Sequence, residues 1–328
     1  MTPDLLATYQ SLSDWLEDKD NFLVLAHARP DGDAFGSAFA MTLFLQSQGK
    51  TATAYVEEEL PEMFEPFAID GYKHSDIPVD MGQIDYIISC DCANTPRLAC
   101  PNGLTFADLD KPICNIDHHI SNEKYGELNL IDAEAASTTE ILTKFHEMNG
   151  HSVSSLNADW LMIGLAQDTG CFRFPNTSSQ VFKYAGWLLN HGCNYDKVMK
   201  ELYFNNPMRL LKLQAKVIDN LKFAHDNSVA YFFINQDILD SCDAKVEDVE
   251  DLVDVVKSIQ GVDIVCRLQQ VDNDVRFSFR SQNEKLPVLP IAKKFNGGGH
   301  LLACGATMEN TTLEEAEAKF LEYLEEVF

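Results

Sequence analysis

Basic residues are scarce in this chain: 25 lysines and arginines stand against 51 aspartates and glutamates, a formal net charge of −26 over 328 residues. A surface of that sign repels long polyanions and lacks the basic stripe with which proteins follow extended DNA or RNA, so long nucleic acid is excluded as a partner and any nucleic-acid substrate is expected to be short. The acid-rich stretch Leu313 to Phe328 reads as a solvated helix face. Long apolar runs are missing too; no stretch approaches the roughly 20 residues that cross a bilayer, and no membrane partner is expected. The opening residues have no basic start. Leu5, Leu6, Tyr9, Leu12, Trp15 and Leu16 recur at helical spacing, which predicts an amphipathic helix over Met1 to Asp18 in place of a signal peptide. Repeats and low-complexity tracts are absent. The nine cysteines are odd in number and scattered through apolar runs, unlike a disulfide framework, and read as free thiols of a cytoplasmic protein.

What is present is room for two domains. Apolar strand-like runs at Phe22 to Ala26, Thr51 to Val56, Ile84 to Ser89 and Ile113 to Ile116 alternate with helical patterns, which predicts an α/β domain over residues 1–205: a mostly parallel sheet with helices on both faces. The pattern breaks at Asn205-Asn206-Pro207. Met208 to Phe223 reads as one helix, so residues 206–223 are expected to link the domains. Strands at Ser228 to Ile234, Val262 to Gln270 and Val275 to Ser281, with helices at Val246 to Ile259 and Pro290 to Phe295, predict a smaller α+β domain with a mixed sheet over residues 224–328.

The most informative segment is His27-Ala28-Arg29-Pro30-Asp31-Gly32-Asp33, directly after the run Phe22 to Leu25 and before the Ala-rich helical stretch Ala34 to Gln48. It places one imidazole and two carboxylates in a βα turn at the carboxyl end of a sheet, where open α/β folds bind ligands. Alone, the triplet also fits an ordinary solvated turn. Three further elements repeat the arrangement. Ile84 to Ser89 leads to Asp91, Ile113 to Ile116 leads to Asp117-His118-His119, and the helix-like run Trp160 to Ala166 leads to Asp168-Thr169-Gly170. Carboxylates with imidazoles suit Mn²⁺ or Mg²⁺ better than a structural zinc, for which thiolates are expected. Cys90 and Cys92 flank Asp91 and are read as core residues, because an extended run turns both away from the face that carries Asp91.

In the second half only Phe295-Asn296-Gly297-Gly298-Gly299-His300 stands out chemically. Consecutive glycines let backbone N–H groups approach an anion, and Arg280, at the end of a preceding strand, offers a guanidinium to a phosphate. A flexible turn and a surface arginine are the plain alternatives.

Together these motifs, in this order and over nearly the whole chain, resemble the DHH/DHHA1 phosphoesterase superfamily, in its compact nanoRNase and pAp phosphatase branch. The resemblance implies a dinuclear centre with His27, Asp31 and Asp91 on one ion and Asp33, Asp91, His118 and Asp168 on the other. Mn²⁺ is the expected metal, with Mg²⁺ or Co²⁺ as alternatives. His119 is implied to act with Asp33 and Asp91 in catalysis by stabilising the transition state or protonating the leaving oxygen, and Asp117 to orient a histidine. Arg280, Gly298, Gly299 and His300 are implied to hold substrate phosphate. The implied reaction is hydrolysis of short oligoribonucleotides or linear dinucleotides to mononucleotides, and of 3′-phosphoadenosine 5′-phosphate to AMP.

The run from Asp91 to Arg97 resembles a family stretch that also ends in arginine, which reads equally as structural or functional. Leu301-Leu302-Ala303-Cys304-Gly305 is more apolar than the small-residue run expected after His300. Two other functions compete. Hydrolysis of pyrophosphate or short polyphosphate suits the same metals, although Arg280-Ser281-Gln282 supplies little of the lysine-rich clamp of related pyrophosphatases. A non-catalytic nucleotide sensor is the other, and the complete set of six candidate metal ligands argues against it. An exonuclease of the RecJ type requires more basic surface. Oligomeric state is not legible, and a homodimer stays open.

Overall fold

The structure, a computed structural model, describes residues 3–249 and 252–328. The chain divides into two compact units with the boundary between Asn205 and Asn206. In the first, α1 (Pro3–Glu17), β1 (Phe22–Leu25), α2 (Gly32–Ser47), β2 (Ala52–Tyr55), β3 (Tyr86–Cys90), β4 (Ile113–Asp117), β5 (Leu128–Ile131), α3 (Thr138–Asn149), α4 (Ser155–Asp168), α5 (Ser179–Asn190) and α6 (Tyr195–Met199) follow in order. The strands form one all-parallel sheet in the order β2-β1-β3-β4-β5.

Strands covered on both faces read as unbroken apolar runs, and β1 and β4 are buried along their whole length. Alternate residues feed two cores. Phe22, Val24, Ile88, Cys90, Cys114 and Ile116 pack with the α-helices, while Leu23, Leu25, Ile87 and Ile113 pack with Val79, Leu98, Ala99 and Leu109 on the opposite face. The α/β parallel architecture expected from sequence is the one that forms, with unequal covers. The chain leaves β1 toward one edge and β3 toward the other, so right-handed crossovers put α2 and residues 91–112 on opposite faces. That second crossover carries Pro96, Pro101 and Gly103, and its helical turns at Thr95–Arg97, Pro101–Gly103 and Phe106–Asp108 are short 3₁₀ pieces.

Tyr9, Leu12 and Leu16 of α1 are buried as their spacing predicts; Leu5 and Leu6 lie outside the residues whose side chains are described. α2 and α4 are buried nearly all round, which is why neither shows an amphipathic stripe. They pack closely at Gly36, where a Cβ would stand 2.6 Å from the Trp160 carbonyl oxygen. Trp160 sits among Phe35, Phe39, Phe64 and Phe67 and donates its indole N–H to the Phe67 carbonyl at 2.9 Å.

The second unit contains α7 (Met208–Asp219), β6 (Lys222–Ala224), β7 (Val229–Ile234), α8 (Gln236–Cys242), α9 (Leu252–Lys257), β8 (Ile264–Val271), β9 (Asp274–Ser281), α10 (Leu289–Lys294), β10 (Gly298–Gly299), β11 (Ala303–Met308) and α11 (Leu313–Val327). Its mixed sheet runs β10-β11-β9-β8-β7-β6, with only β7 and β8 parallel. α10 and α11 cover one face, with Phe320 and Leu324 buried against Phe279 and its neighbours. α7, α8 and α9 cover β7 and part of β8 on the other.

The helix expected over residues 208–223 ends at Asp219. Lys222-Phe223-Ala224 instead pairs antiparallel with β7, because the adjoining strand offers a ladder that outweighs local helical periodicity. Leu213 and Val217 join the core of this unit. The helix expected over Val246 to Ile259 is a 3₁₀ turn at Val246–Val249 followed by α9; Glu250 and Asp251 lie outside the described residues. Every cysteine carries a free thiol, and among the described residues no helix is long and apolar enough to cross a membrane.

Candidate metal centre

The neighbours β1 and β3 send their connections in opposite directions, which opens a crevice at their carboxyl ends. His27, Asp31 and Asp33 follow β1, Asp91 follows β3, Asp117 ends β4 with His118 and His119 after it, and Asp168 closes α4. Asp91 leaves the strand with φ +55°, a left-handed conformation that Asp and Asn tolerate better than most residues. The turn is what lets Cys90 and Cys92 enter separate apolar cores on the two sheet faces while the carboxylate between them faces the crevice.

Three overlapping ligand-like groups meet there: His27 with Asp31 and Asp91, Asp33 with His118 and Asp168, and Asp91 with Asp117, His118 and His119. In the first, His27 Nε2 lies 3.6 Å from Asp91 Oδ2 and 3.9 Å from Asp31 Oδ1, while its Nδ1 sits 2.9 Å from the Ala28 carbonyl. Asp31 also caps α2, its Oδ1 accepting the Asp33 and Ala34 N–H groups at 3.1 Å each, an N-cap worth about 1 kcal/mol. In the second, Asp33, His118 and Asp168 converge, with His118 Nε2 at 3.3 Å from Asp168 Oδ2. Asp91 lies between the groups: its Oδ1 is 3.5 Å from His118 Nε2 and its Oδ2 faces His27.

Among the described residues, the carboxylates sit close together with no lysine paired to them. Burial, then the Asp91 charge, drives the Asp33 carboxyl well above the ordinary carboxylate range. Burial, then Asp33 and Asp91, does the same to Asp168. Burial works against ionised Asp91 as well, yet the hydrogen bond from His27 and the charges of His118 and His27 hold its carboxyl below the usual value. Burial favours neutral His27, but the Asp91 carboxylate outweighs it and raises that imidazole. Donors fixed 3.3 to 3.9 Å apart around a concentration of negative charge are what a divalent cation with bonds of about 2.1 Å requires. These acidic and imidazole groups can hold a metal.

His119 turns to a different partner. Its Nδ1 is 2.7 Å from Asp117 Oδ1, and this hydrogen bond pushes its pKa up to about 9 against the opposing effect of burial. Asp117 is fully buried and also accepts from the His118 N–H at 2.8 Å and from Asn122 Nδ2 at 2.6 Å. Arg97, exposed at the end of its 3₁₀ turn, brings Nη2 to 3.3 Å from His27 Nδ1. Backbone pairing holds it there, with Ala28 N–H donating to the Arg97 carbonyl at 2.7 Å.

Sequence reasoning passed over several residues that build the site. Thr138 and Thr139 open α3 and donate to both Asp33 oxygens, through Thr138 N at 2.6 Å, Thr139 N at 3.0 Å and Thr139 Oγ1 at 2.7 Å. Thr138 Oγ1 also donates to Asp91 Oδ1 at 3.0 Å. The pattern Ser137-Thr138-Thr139-Glu140 carries a capping signal that marks this helix start. Gly164 carries none. A Cβ there would stand 2.5 Å from Asp33 Oδ1, so the glycine makes room for the carboxylate. Gly164→Ala is expected to displace Asp33 and cost about 10²-fold in activity, with weaker Mn²⁺ binding by calorimetry; wild-type values for both would show that the close approach is immaterial.

The second unit carries Arg280, Gly298, Gly299 and His300 on or beside the β9–β11–β10 edge. Arg280 is half-buried, and its Nη1 donates to the Phe279 carbonyl at 3.0 Å. Two of the three glycines answer to packing. A Cβ at Gly297 would lie 2.2 Å from the Gly305 carbonyl oxygen, and Gly299, with φ +133°, would place one 2.7 Å from that of Ala303. Around Gly298 the space is open.

Comparison with known proteins agrees with this layout. A family model described as the DHH family, N-terminal domain, matches residues 21–165, and one described as the DHHA1 domain matches residues 216–328. The chain is 30% identical over 296 residues to the probable bifunctional oligoribonuclease and PAP phosphatase NrnA of Streptococcus mutans, covering 88% of this chain and 89% of that protein. It is 29% identical over 295 residues to the bifunctional oligoribonuclease and PAP phosphatase NrnA of Bacillus subtilis, covering 88% and 90%. Among solved structures, an exopolyphosphatase-related protein from Bacteroides fragilis matches with a TM-score of 0.89 at 25% identity, over 98% of this chain and 96% of that one. A RecJ structure from Thermus thermophilus, at 12% identity and a TM-score of 0.55, shares the fold. With both domain models matched in order and relatives aligned along most of its length, the chain belongs to the DHH family of phosphoesterases that carry a DHHA1 domain.

Proposed function

We propose that this protein is a hydrolase of phosphoester bonds that degrades short oligoribonucleotides and linear dinucleotides to mononucleotides and converts 3′-phosphoadenosine 5′-phosphate to AMP. The observation that carries the reading is the set of carboxylate–imidazole groups that meet around Asp91 at the sheet's switch point. The relatives named as oligoribonucleases and PAP phosphatases support the substrate class. His27, Asp31 and Asp91 would hold one ion, and Asp33, Asp91, His118 and Asp168 a second, with manganese the best match to this donor set. Such ions supply an activated water and neutralise charge on the phosphoryl oxygens.

The chain's own residues do the rest. Thr138 and Thr139 fix Asp33, so the carboxylate keeps its orientation without reorganising during turnover. Asp117 holds His119 by Nδ1 and leaves Nε2 to stabilise or protonate the departing oxygen. Arg97 adds a guanidinium beside His27 that attracts a phosphate into an otherwise acidic crevice. In the second unit, Arg280, the amides at Gly298 and Gly299, and His300 bind substrate phosphate. The free thiols fit a reducing cytoplasm.

The experiment is a product assay with Mn²⁺ on pApA, a five-nucleotide RNA, 3′-phosphoadenosine 5′-phosphate and pyrophosphate. Mononucleotides and AMP are expected, with little phosphate from pyrophosphate. Pyrophosphate turnover as fast as dinucleotide cleavage would transfer the assignment to the pyrophosphatase reading.

A further inference from the structure

One face of the second sheet is polar and open where β9 and β11 lie side by side. Alternation along β9 sends Val275, Phe277 and Phe279 into the core with α10 and α11, and places Arg276, Ser278 and Arg280 on the other face. Register carries the pattern across three strands. Gln269, Arg276 and Thr307 form one row, Arg267, Ser278 and Gly305 the next, and Val265, Arg280 and Ala303 the third. The helices on this face pack over β7 and the adjoining part of β8 through Ala230, Phe232 and Val265. Arg276, Ser278 and Thr307 belong to none of the apolar clusters; Arg276 and Thr307 are exposed, and their neighbours on β11 are small.

Charge makes this face unusual in a molecule with about twice as many acids as bases. Among the described residues, neither Arg276 nor Arg280 forms an ion pair with a carboxylate. Asp274, the next residue on the same side of β9, has Oδ1 engaged by the Asn310 N–H at 3.0 Å. Arg280 leans along the strand, its Nη1 at 3.4 Å from Ser278 Oγ. Four residues along an extended strand separate Arg276 from Arg280 by about 13 Å. An extended nucleic-acid strand covers that distance in two internucleotide steps.

We propose that Arg276, with Thr307 in its row, holds a second backbone phosphate of an oligonucleotide whose first phosphate is held at Arg280, so that this sheet face reads substrate length. The proposal rests on the assignment of Arg280 as a phosphate ligand. Substrates that carry three or more successive phosphates engage both arginines; dinucleotides and 3′-phosphoadenosine 5′-phosphate engage only one.

The test compares steady-state kinetics of the full chain, its Arg276→Gln and its Arg276→Lys variants with Mn²⁺, on pApA and on a five-nucleotide RNA, between 50 and 300 mM salt. For Arg276→Gln the KM of the five-mer is expected to rise about five- to tenfold, and the slope of log KM against log salt to fall by about 0.7, one phosphate contact on a single strand. The values for pApA stay unchanged, and Arg276→Lys keeps the salt slope. Equal weakening of both substrates, or an unchanged five-mer KM and slope, overturns the length-reading role. Wild-type protein that cleaves neither substrate would instead bring down the oligonuclease assignment on which it stands.

Discussion

Asp91→Asn is expected to lower kcat on pApA by at least about 10³-fold, equivalent to about 4 kcal/mol of transition-state stabilisation, while the protein stays folded. Asp91 is the one carboxylate placed between both ligand groups, at 3.6 Å from His27 and 3.5 Å from His118. Its replacement removes charge from both groups at once. Asparagine preserves the rest: it tolerates the φ of +55° at this position and can accept the hydroxyl of Thr138. Circular dichroism and a single cooperative melt would establish folding alongside the kinetics. A loss smaller than tenfold would mean that the reaction does not depend on a shared carboxylate.

Manganese is expected to raise the melting temperature of metal-free protein by about 5–10 °C at 100 times its dissociation constant, from about 2.7 kcal/mol of linkage in a domain of this size. The cause is the repulsion already described among Asp33, Asp91 and Asp168. For Asp33 and Asp168 the folded state raises the pKa above the unfolded value near 4. Such carboxyls hold a proton that the unfolded chain releases, so their contribution to stability is present below about pH 4 and is lost as pH rises toward their folded values. His27 and His119, also raised, lose theirs at higher pH in the same direction. Asp91, lowered, works the other way. Asp168→Asn takes one charge out of the cluster without removing a side-chain hydrogen bond that Asp168 accepts from the backbone. The metal-free variant is therefore expected to melt above wild type at pH 7.5 and to gain less from manganese. Differential scanning fluorimetry with and without Mn²⁺ reads both quantities; equal manganese shifts in the two proteins would remove Asp168 from the metal's surroundings.

Much of the site was legible because βα turns expose their chemistry in the sequence. An apolar run that stops at Asp or His announces both the strand and the side chain at its carboxyl end, and His27, Asp91 and His118 are of this kind. Asp168 was legible from a helix end for the same reason. The residues that position those side chains left weaker traces. Asn122 reaches Asp117 from a loop whose composition is ordinary, and Gly164 sits inside a helix where only the approach of Asp33 explains it. Arg97 was ambiguous because its meaning depends on backbone pairing with the segment after β1, a contact across 70 positions of chain.

The fold shows the same division. Buried central strands declared themselves, whereas β11, built from Ala303-Cys304-Gly305-Ala306-Thr307-Met308, has little strand propensity and exists through its ladder with β9. This pairing also accounts for Ala303, Cys304 and Gly305 in the run after His300, whose small size lets β10, β11 and β9 approach, while Leu301 and Leu302 lie in the turn before β11 with Leu301 exposed. It leaves Gly298 as the glycine with free space around it.

The most direct test of the shared-carboxylate centre is calorimetric titration of metal-free protein with Mn²⁺, beside Asp91→Asn and Asp168→Asn. Two ions per wild-type chain are expected, with weaker or fewer ions in both variants. A wild-type stoichiometry of one or none, or variants that bind as the wild type does, would contradict it.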